Sequence, residues 1–327
     1  MPATSLKEFL ANQEWDAPFF KRLAHNDTGQ AAGHQGGMVL PKDLRQFLPA
    51  LDEAATSLEA PTTDRYLRAE MFVGAKHLTD SVLRYQLQTW GGTRSAESRI
   101  TDGFGPLRNQ AREGDLLIFQ RRADALDRLR LILVKKGTPE FAEAEVWTVG
   151  RKWGPLFTAV SPVTVTQITQ AKVELAALAE KPFELVRPAI PRLETTQSRI
   201  ARSAVFRERV RLEYVKRCCV SGIVIASPTG LYEAESAHVV PISEGGSDDI
   251  RNGIALAQTL HWAFDRGLIG ILPSRKVHIP RAVKRMEENA FLKQFEGKPI
   301  AEATSSDLRV HRDALAWHYD NLVRQWD

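Results

Sequence analysis

Four residues of this chain combine a type and a spacing that could do chemistry: His238, Asn252, His261 and Asp265. They fall within one stretch, ESAHVVPISEGGSDDIRNGIALAQTLHWAFDRG, from Glu235 to Gly267. A histidine that ends a short apolar strand can take a proton from water as the water attacks phosphorus. His261 and Asp265 lie one helical turn apart, so they point the same way, as two ligands of one divalent ion must. An ion placed there would stabilise a departing 3′ oxygen. Read singly the residues are weaker. A lone histidine is ordinarily a hydrogen-bonded core or surface residue, Asp265 could pair with Arg266, and Asn252-Gly253 alone is an ordinary turn. Their joint order carries the reading.

The elements that must position these groups can be read around them. The segment CCVSGIVIASPTGLYEAESAHVVP predicts two short strands joined by a turn at Ser227 to Gly230, with His238 ending the second. Ile242 to Asp249 reads as a loop, Asn252 to Leu256 as a return strand, and Thr259 to Arg266 as a helix stopped by Gly267. Upstream, Ser198 to Arg217 places Ile200, Val205, Val210 and Tyr214 at helical spacing among seven basic residues, which predicts an amphipathic helix packed on this region with arginines free for a phosphate backbone. Downstream, Val283 to Phe295 and Asp307 to Trp326 read as amphipathic helices, the second with Trp317, Tyr319, Leu322 and Trp326 near one apolar face that suits packing or a dimer. His278, His311 and His318 lack chemical company and read as structural or exposed.

The stretch resembles the HNH, or ββα-metal, nuclease family. CVSG at Cys219 to Gly222, AHVVP at Ala237 to Pro241, Asn252-Gly253, and HWAFDRG at His261 to Gly267 all match one branch, and the resemblance covers about Arg217 to His278. It implies that His238 is the general base, that Asn252 holds the loop and the base in orientation, and that His261 is a metal ligand. The chain departs from the family at Ala237, where many members carry an Asp or His ligand, so Asp265, Glu235 and Asp249 are the candidates for a second protein ligand, in that order. The implied cofactor is a divalent ion, Mg2+ first, with Mn2+ or Ni2+ as alternatives. No structural zinc is expected, because Cys218 and Cys219 are the only cysteines and are adjacent.

The rest of the chain must deliver a substrate to this site. With 327 residues, 43% hydrophobic and 26% charged, it has room for two cores. A net charge of +4 and a pI of about 9.1 permit nucleic-acid binding without requiring it. No membrane span and no signal peptide are legible, so a cytoplasmic location is expected. Tyr66 to Val73, Val82 to Thr89, Asp115 to Gln120, Arg128 to Lys135 and Glu145 to Val149 read as strands of a mostly-β, barrel-like first domain. Two polar, glycine-flanked arms interrupt it. Leu23 to Pro49 carries Asn26, Asp27, His34 and Gln35, and Trp90 to Pro106 carries Arg94, Glu97, Ser98, Arg99 and Thr101. Arginine can bridge guanine O6 and N7, glutamate can accept from cytosine N4, and Asn or Gln can pair with adenine, so the arms have the chemistry of base readout. The alternative is a solvated loop with a local ion pair.

These arms resemble the recognition arms of the effector DNA-binding domain of EcoRII-type restriction endonucleases, a pseudobarrel shared with plant B-three transcription factors. The resemblance implies that the barrel sits in the major groove. Together the readings predict an α+β chain: a B-three-like DNA-recognition domain over 1–160, a helical and Pro-containing linker over 161–197 with Pro182, Pro188 and Pro191, and an HNH nuclease domain with flanking helices over 198–327. The expected activity is metal-dependent, sequence-specific hydrolysis of double-stranded DNA that leaves 5′-phosphate ends. Because one HNH site cuts one strand, double-strand cleavage needs a dimer or two sequential nicks, and a homodimer, the commoner solution, is expected. Two rivals are a nuclease that requires 5-methylcytosine, flipped between aromatics such as Trp90 and Phe104, and a DNA-binding regulator with an inactive HNH domain.

Overall fold

The computed structural model describes residues 5–12, 14–30, 37–186, 195–228 and 230–327. It divides into two compact units, Met1–Ile168 and Thr169–Asp327, with the boundary inside a helix.

The first unit is built on an eight-stranded sheet. Its strands are β1 (Phe19–Arg22), β2 (Met38–Leu40), β3 (Thr62–Val73), β4 (Lys76–Gln88), β5 (Glu97–Ile100), β6 (Leu116–Arg122), β7 (Ala125–Val134) and β8 (Trp153–Pro155), in the order β2-β5-β4-β3-β7-β6-β1-β8. Every pairing is antiparallel except β3 with β7. Helices α1 (Leu6–Leu10), α2 (Gly105–Arg108) and α3 (Pro139–Thr148) complete it. The runs LLIF in β6 and LILV in β7 are apolar without alternation because both faces are covered. Phe19, Leu117, Phe119, Leu129 and Leu131 enter one core, while Phe20, Ile118 and Ile132 enter another against Leu6, Leu10 and Ala144 of α1 and α3.

The sheet curls until its ends approach. Lys21, near one end on β1, reaches the carbonyl oxygen of Val39 on edge strand β2 at 2.6 Å and Asp27 at 2.7 Å. The 3-10 turn Lys42–Phe47 that follows β2 packs on the opposite edge, where Trp153 Nε1 donates to Asp43 at 3.2 Å. Burial pulls the Lys21 ammonium below its ordinary range against the opposing charge of Asp27. Glu145 to Val149, expected as a strand, is instead the end of α3. Thr138 caps that helix by accepting from the Phe141 amide, and Pro139 occupies its first turn, so the start signal overrides a short β-like run.

In the second unit α4 (Val165–Ala179) precedes α5 (Thr196–Glu213), which packs on the hairpin of β9 (Glu235–His238) and β10 (Gly253–Leu256). The hairpin is antiparallel, with Glu235 opposite Leu256 and His238 opposite Gly253. Gly253 permits the close approach of α5, since a Cβ there would lie 2.4 Å from Val210 Cγ2 and 2.8 Å from Phe206 Cζ. Helix α6 (Gln258–Asp265) follows, then the small hairpin β11 (Gly270–Ile271) and β12 (Val277–His278), and the helices α7 (Arg281–Arg285), α8 (Ala290–Lys293) and α9 (Arg312–His318).

Three expectations change here. The first of the two strands expected between Cys218 and Pro241 does not form; only an isolated bridge joins Ala226 to Tyr232 around the turn. The ββα unit is therefore β9, β10 and α6. Val283 to Phe295 breaks into two short helices with a 3-10 turn between them. At Tyr319–Val323 the last helix widens into a π-helix, and the buried residues are Ala314, Leu315, His318 and Val323, while Trp326 is exposed. His318 stacks on Phe264 of α6 at 3.7 Å and 5°, and its Nε2–H donates to the Phe264 carbonyl at 3.0 Å. The tail thus braces the helix that carries His261.

Candidate active site

Strand β9 carries its functional side chains on two faces. Successive residues alternate, so His238 shares a face with Ser236, and Glu235 shares the other with Ala237. The first face meets α5. Ser236 Oγ donates to the Arg207 carbonyl at 2.8 Å, and the His238 ring stacks on Phe206 with centroids 3.8 Å apart and planes at 5°. The second face meets α6, where His261 Nδ1 lies 2.8 Å from Glu235 Oε2 and His261 Nε2 lies 3.7 Å from Asp265 Oδ2. Gln258 holds the other oxygen of Glu235 at 3.3 Å.

The charges on this second face support one another. Burial alone would lower the His261 imidazole, but the hydrogen bond to Glu235 and the charges of Asp265 and Glu235 raise it above its ordinary value. The bond from His261 in turn holds the Glu235 carboxyl below the usual carboxylate range, against burial that pushes it up.

Ala237 is fully buried and offers no ligand. Glu235 stands two residues away on the same face, and it engages the Nδ1 edge of His261 while Asp265 lies at the Nε2 edge. The three side chains therefore do not converge on one point, and among the described residues no group of three His, Cys, Asp or Glu forms a metal cage. A narrower set fits. Nε2 of His261 and Asp265 Oδ2 are spaced as two ligands of one ion can be, given bonds of roughly 2.1 Å. Glu235 steadies the imidazole through its other nitrogen, the usual arrangement behind a metal-binding histidine. Asp249, the third candidate, is buried and turned to Arg251, which it grips through both oxygens at 3.0 and 2.6 Å.

Asn252 ties the loop between the two strands to the end of β9. It is fully buried; its Oδ1 accepts from the Val240 amide at 2.9 Å, and its Nδ2 donates to the carbonyls of Val240 at 3.0 Å and Ser247 at 2.9 Å. Next to Ser247, Asp248 places Oδ1 3.3 Å from His238 Nε2 and Oδ2 3.5 Å from Arg202 Nε on α5. Asp248 and Phe206 carry no motif signal, and Arg202, expected among the basic residues free for a phosphate backbone, is instead turned to Asp248. Arg202 and Phe206 are four residues apart on one face of α5, which is a usable signal. Nothing in the run Asp248-Asp249 marks which aspartate faces the histidine.

In the first unit the two arms have adjacent roots. The first arm enters β2 and the second enters β5, and these strands pair with Met38 opposite Ile100 and Val39 opposite Arg99. Asn26 and Arg94 are exposed, and Arg94 lies over the Trp90 ring at 5.4 Å. Asp27 is buried against Lys21, and Ser98 is buried as well. Glu97 and Arg99 form an ion pair at 2.8 Å on a strand rather than in a loop, and the Thr101 amide donates to the Arg84 carbonyl at 2.9 Å. His34 and Gln35 lie outside the described residues. Phe104 is fully buried in the core, which removes one of the two aromatics considered for a flipped base.

The family model for HNH endonucleases matches residues 218–272, the span from the paired cysteines through β11. Residues 218–272 are an HNH endonuclease domain. HNH nucleases generally use divalent metal ions. Among solved structures, one titled "Modification dependent TagI restriction endonuclease" is similar at a TM-score of 0.30 and 24% identity, over 36% of this chain and 37% of that one. No curated protein matches. Among the described residues no helix is long and apolar enough to cross a membrane.

Proposed function

We propose that this protein is a sequence-specific restriction endonuclease whose first unit reads a short DNA site and whose HNH domain cuts it. The observation that carries the reading is the ββα unit itself: within the matched HNH span one strand ends in a histidine faced by a loop carboxylate, and its other face meets an imidazole and carboxylate pair, while α5 covers the histidine ring from outside that span. In the reaction His238 takes a proton from water, the water oxygen bonds to phosphorus, and the P–O3′ bond breaks. The 3′ oxygen then takes a proton from solvent, and the 5′ phosphate stays on the other fragment. His261 and Asp265 would hold a divalent ion, with Glu235 steadying the imidazole through its other nitrogen, and that ion would supply positive charge to stabilise the leaving oxygen. Asn252 keeps the loop and the base in register.

The recognition half of the proposal rests on the paired arm roots on β2 and β5, which set both arms side by side at one sheet edge. Asn26 and Arg94, exposed beside them, have the donors and acceptors for base edges. A B-three-like pseudobarrel accommodates this geometry, and a homodimer would let two single-strand cuts make a double-strand break.

The test is cleavage of plasmid DNA, methylated and unmethylated, with Mg2+, Mn2+ or Ni2+, followed by sequencing of the ends. Discrete cuts with 5′-phosphate ends at a repeated unmethylated sequence are expected. His238→Ala should keep site binding and lose cutting. Metal-dependent cleavage retained by purified His238→Ala overturns the assignment of the base, and cutting confined to methylated DNA overturns sequence-specific recognition of unmodified sites.

A further inference from the structure

Resting on the nuclease reading, the environment of His238 assigns a role to a residue outside the motif. A histidine that serves as a base needs one nitrogen free for the incoming proton and the other held, so that tautomer and ring plane are both set. Here two contacts set the ring, and a third sets the carboxylate that makes one of them. Phe206 covers one face at 3.8 Å, nearly parallel. Asp248 Oδ1 sits 3.3 Å from Nε2, while Nδ1 has no hydrogen bond among the described residues. Arg202, buried on α5 one turn before Phe206, lies 3.5 Å from the other oxygen of Asp248. The carboxylate is thus placed from both sides, by a helix arginine and by a loop that Asn252 fastens at the neighbouring Ser247 carbonyl.

We infer that Asp248 is the positioning residue for His238: it accepts from Nε2–H and leaves Nδ1 as the atom that receives the proton from water. Arg202 serves this carboxylate rather than the DNA. Asp248 faces His238 directly, with Arg202 behind it.

The tautomer can be read without any cleavage assay. In full-length protein labelled with 15N-histidine, with the His238 signals identified by their loss in His238→Ala, the wild type should show a protonated Nε2 and an unprotonated Nδ1 above pH 8. Asp248→Ala should mix the two tautomers, and Asp248→Asn, which keeps an acceptor of the same size, should largely restore the wild-type form. In kinetics Asp248→Ala should lower kcat roughly 10- to 100-fold with KM for DNA unchanged, since a positioned base contributes about 10²–10⁴-fold. Asp248→Asn should recover most of the lost kcat, because it keeps an acceptor for Nε2–H. A wild-type ring protonated at Nδ1, a tautomer that ignores Asp248→Ala, or a loss confined to KM overturns the inference. If the wild type cuts no DNA, the nuclease reading fails, and the tautomer shift still decides the pairing.

Discussion

Replacing Asn252 separates two ideas about it, that it only fills a turn or that its amide holds the active-site loop. The side chain is fully buried and makes three hydrogen bonds, accepting from the Val240 amide at 2.9 Å and donating to the carbonyls of Val240 at 3.0 Å and Ser247 at 2.9 Å. Asn252→Ala removes all three at once. Each buried group left unpaired costs about 1–3 kcal/mol, and partial hydration of the carbonyls brings the expected total to about 3–5 kcal/mol. A domain holds only about 5–15 kcal/mol in all, so the second unit should still fold while losing much of its margin. At roughly 2–4 °C per kcal/mol for a unit of this size, its melting transition should fall by about 10 °C. Asn252→Asp is the sharper variant. It keeps the acceptor for Val240 but puts an oxygen where Nδ2 faced two carbonyls, so at neutral pH it should be at least as damaging as alanine. As the pH falls the new carboxyl takes a proton and regains one donor, so its deficit should shrink in acid while that of the alanine variant does not. Thermal denaturation of all three proteins at pH 7 and pH 5 makes the comparison. An aspartate variant within about 1 kcal/mol of wild type at pH 7 would refute the reasoning, because a lost donor pair cannot be that mild in a buried site.

Further perturbations test other joints. The buried His318 is held neutral, with burial pulling its pKa down to about 4 from an ordinary 6.5. The folded state then refuses a proton that the unfolded chain accepts, so stability is unaffected above pH 6.5 and is lost as pH falls from 6.5 toward 4, by about 2 kcal/mol at pH 5. Urea midpoints at pH 7 and 5 should show that loss in the wild type and much less of it in His318→Phe. Gly253→Ala should destabilise the second unit by about 1–3 kcal/mol, since its methyl would press on Val210 and on the Phe206 ring that stacks on His238. A melting temperature equal to wild type would show that α5 moves aside freely. Arg99→Ala should weaken binding to the cognate site by about 1–3 kcal/mol and relax preference at one base if the arm reads DNA. Unchanged site preference in a binding selection would leave Arg99 as the local partner of Glu97 at 2.8 Å.

What could be read from the chain alone follows how local each determinant is. His238, Asn252, His261 and Asp265 stand out as candidates because their types recur at fixed spacing within about one hairpin and one helix, and the long strands β3 and β4 are marked by alternation. Glu145 to Val149 misleads because five residues cannot distinguish a strand from the end of a helix, and the deciding signal, Thr138-Pro139, lies upstream of the window. The curl of the sheet depends on Lys21 reaching across to β2, a contact between strands at opposite ends of the order that no periodicity encodes. The same limit governs the active site. Which of Asp248 and Asp249 faces His238 is decided by where Asn252 closes the loop and where α5 brings Arg202, so two chemically identical neighbours acquire opposite roles: one is turned to the imidazole and the other to Arg251. The motif thus names the candidate base, while which of its nitrogens stays free depends on a helix outside the motif and on a loop between its parts.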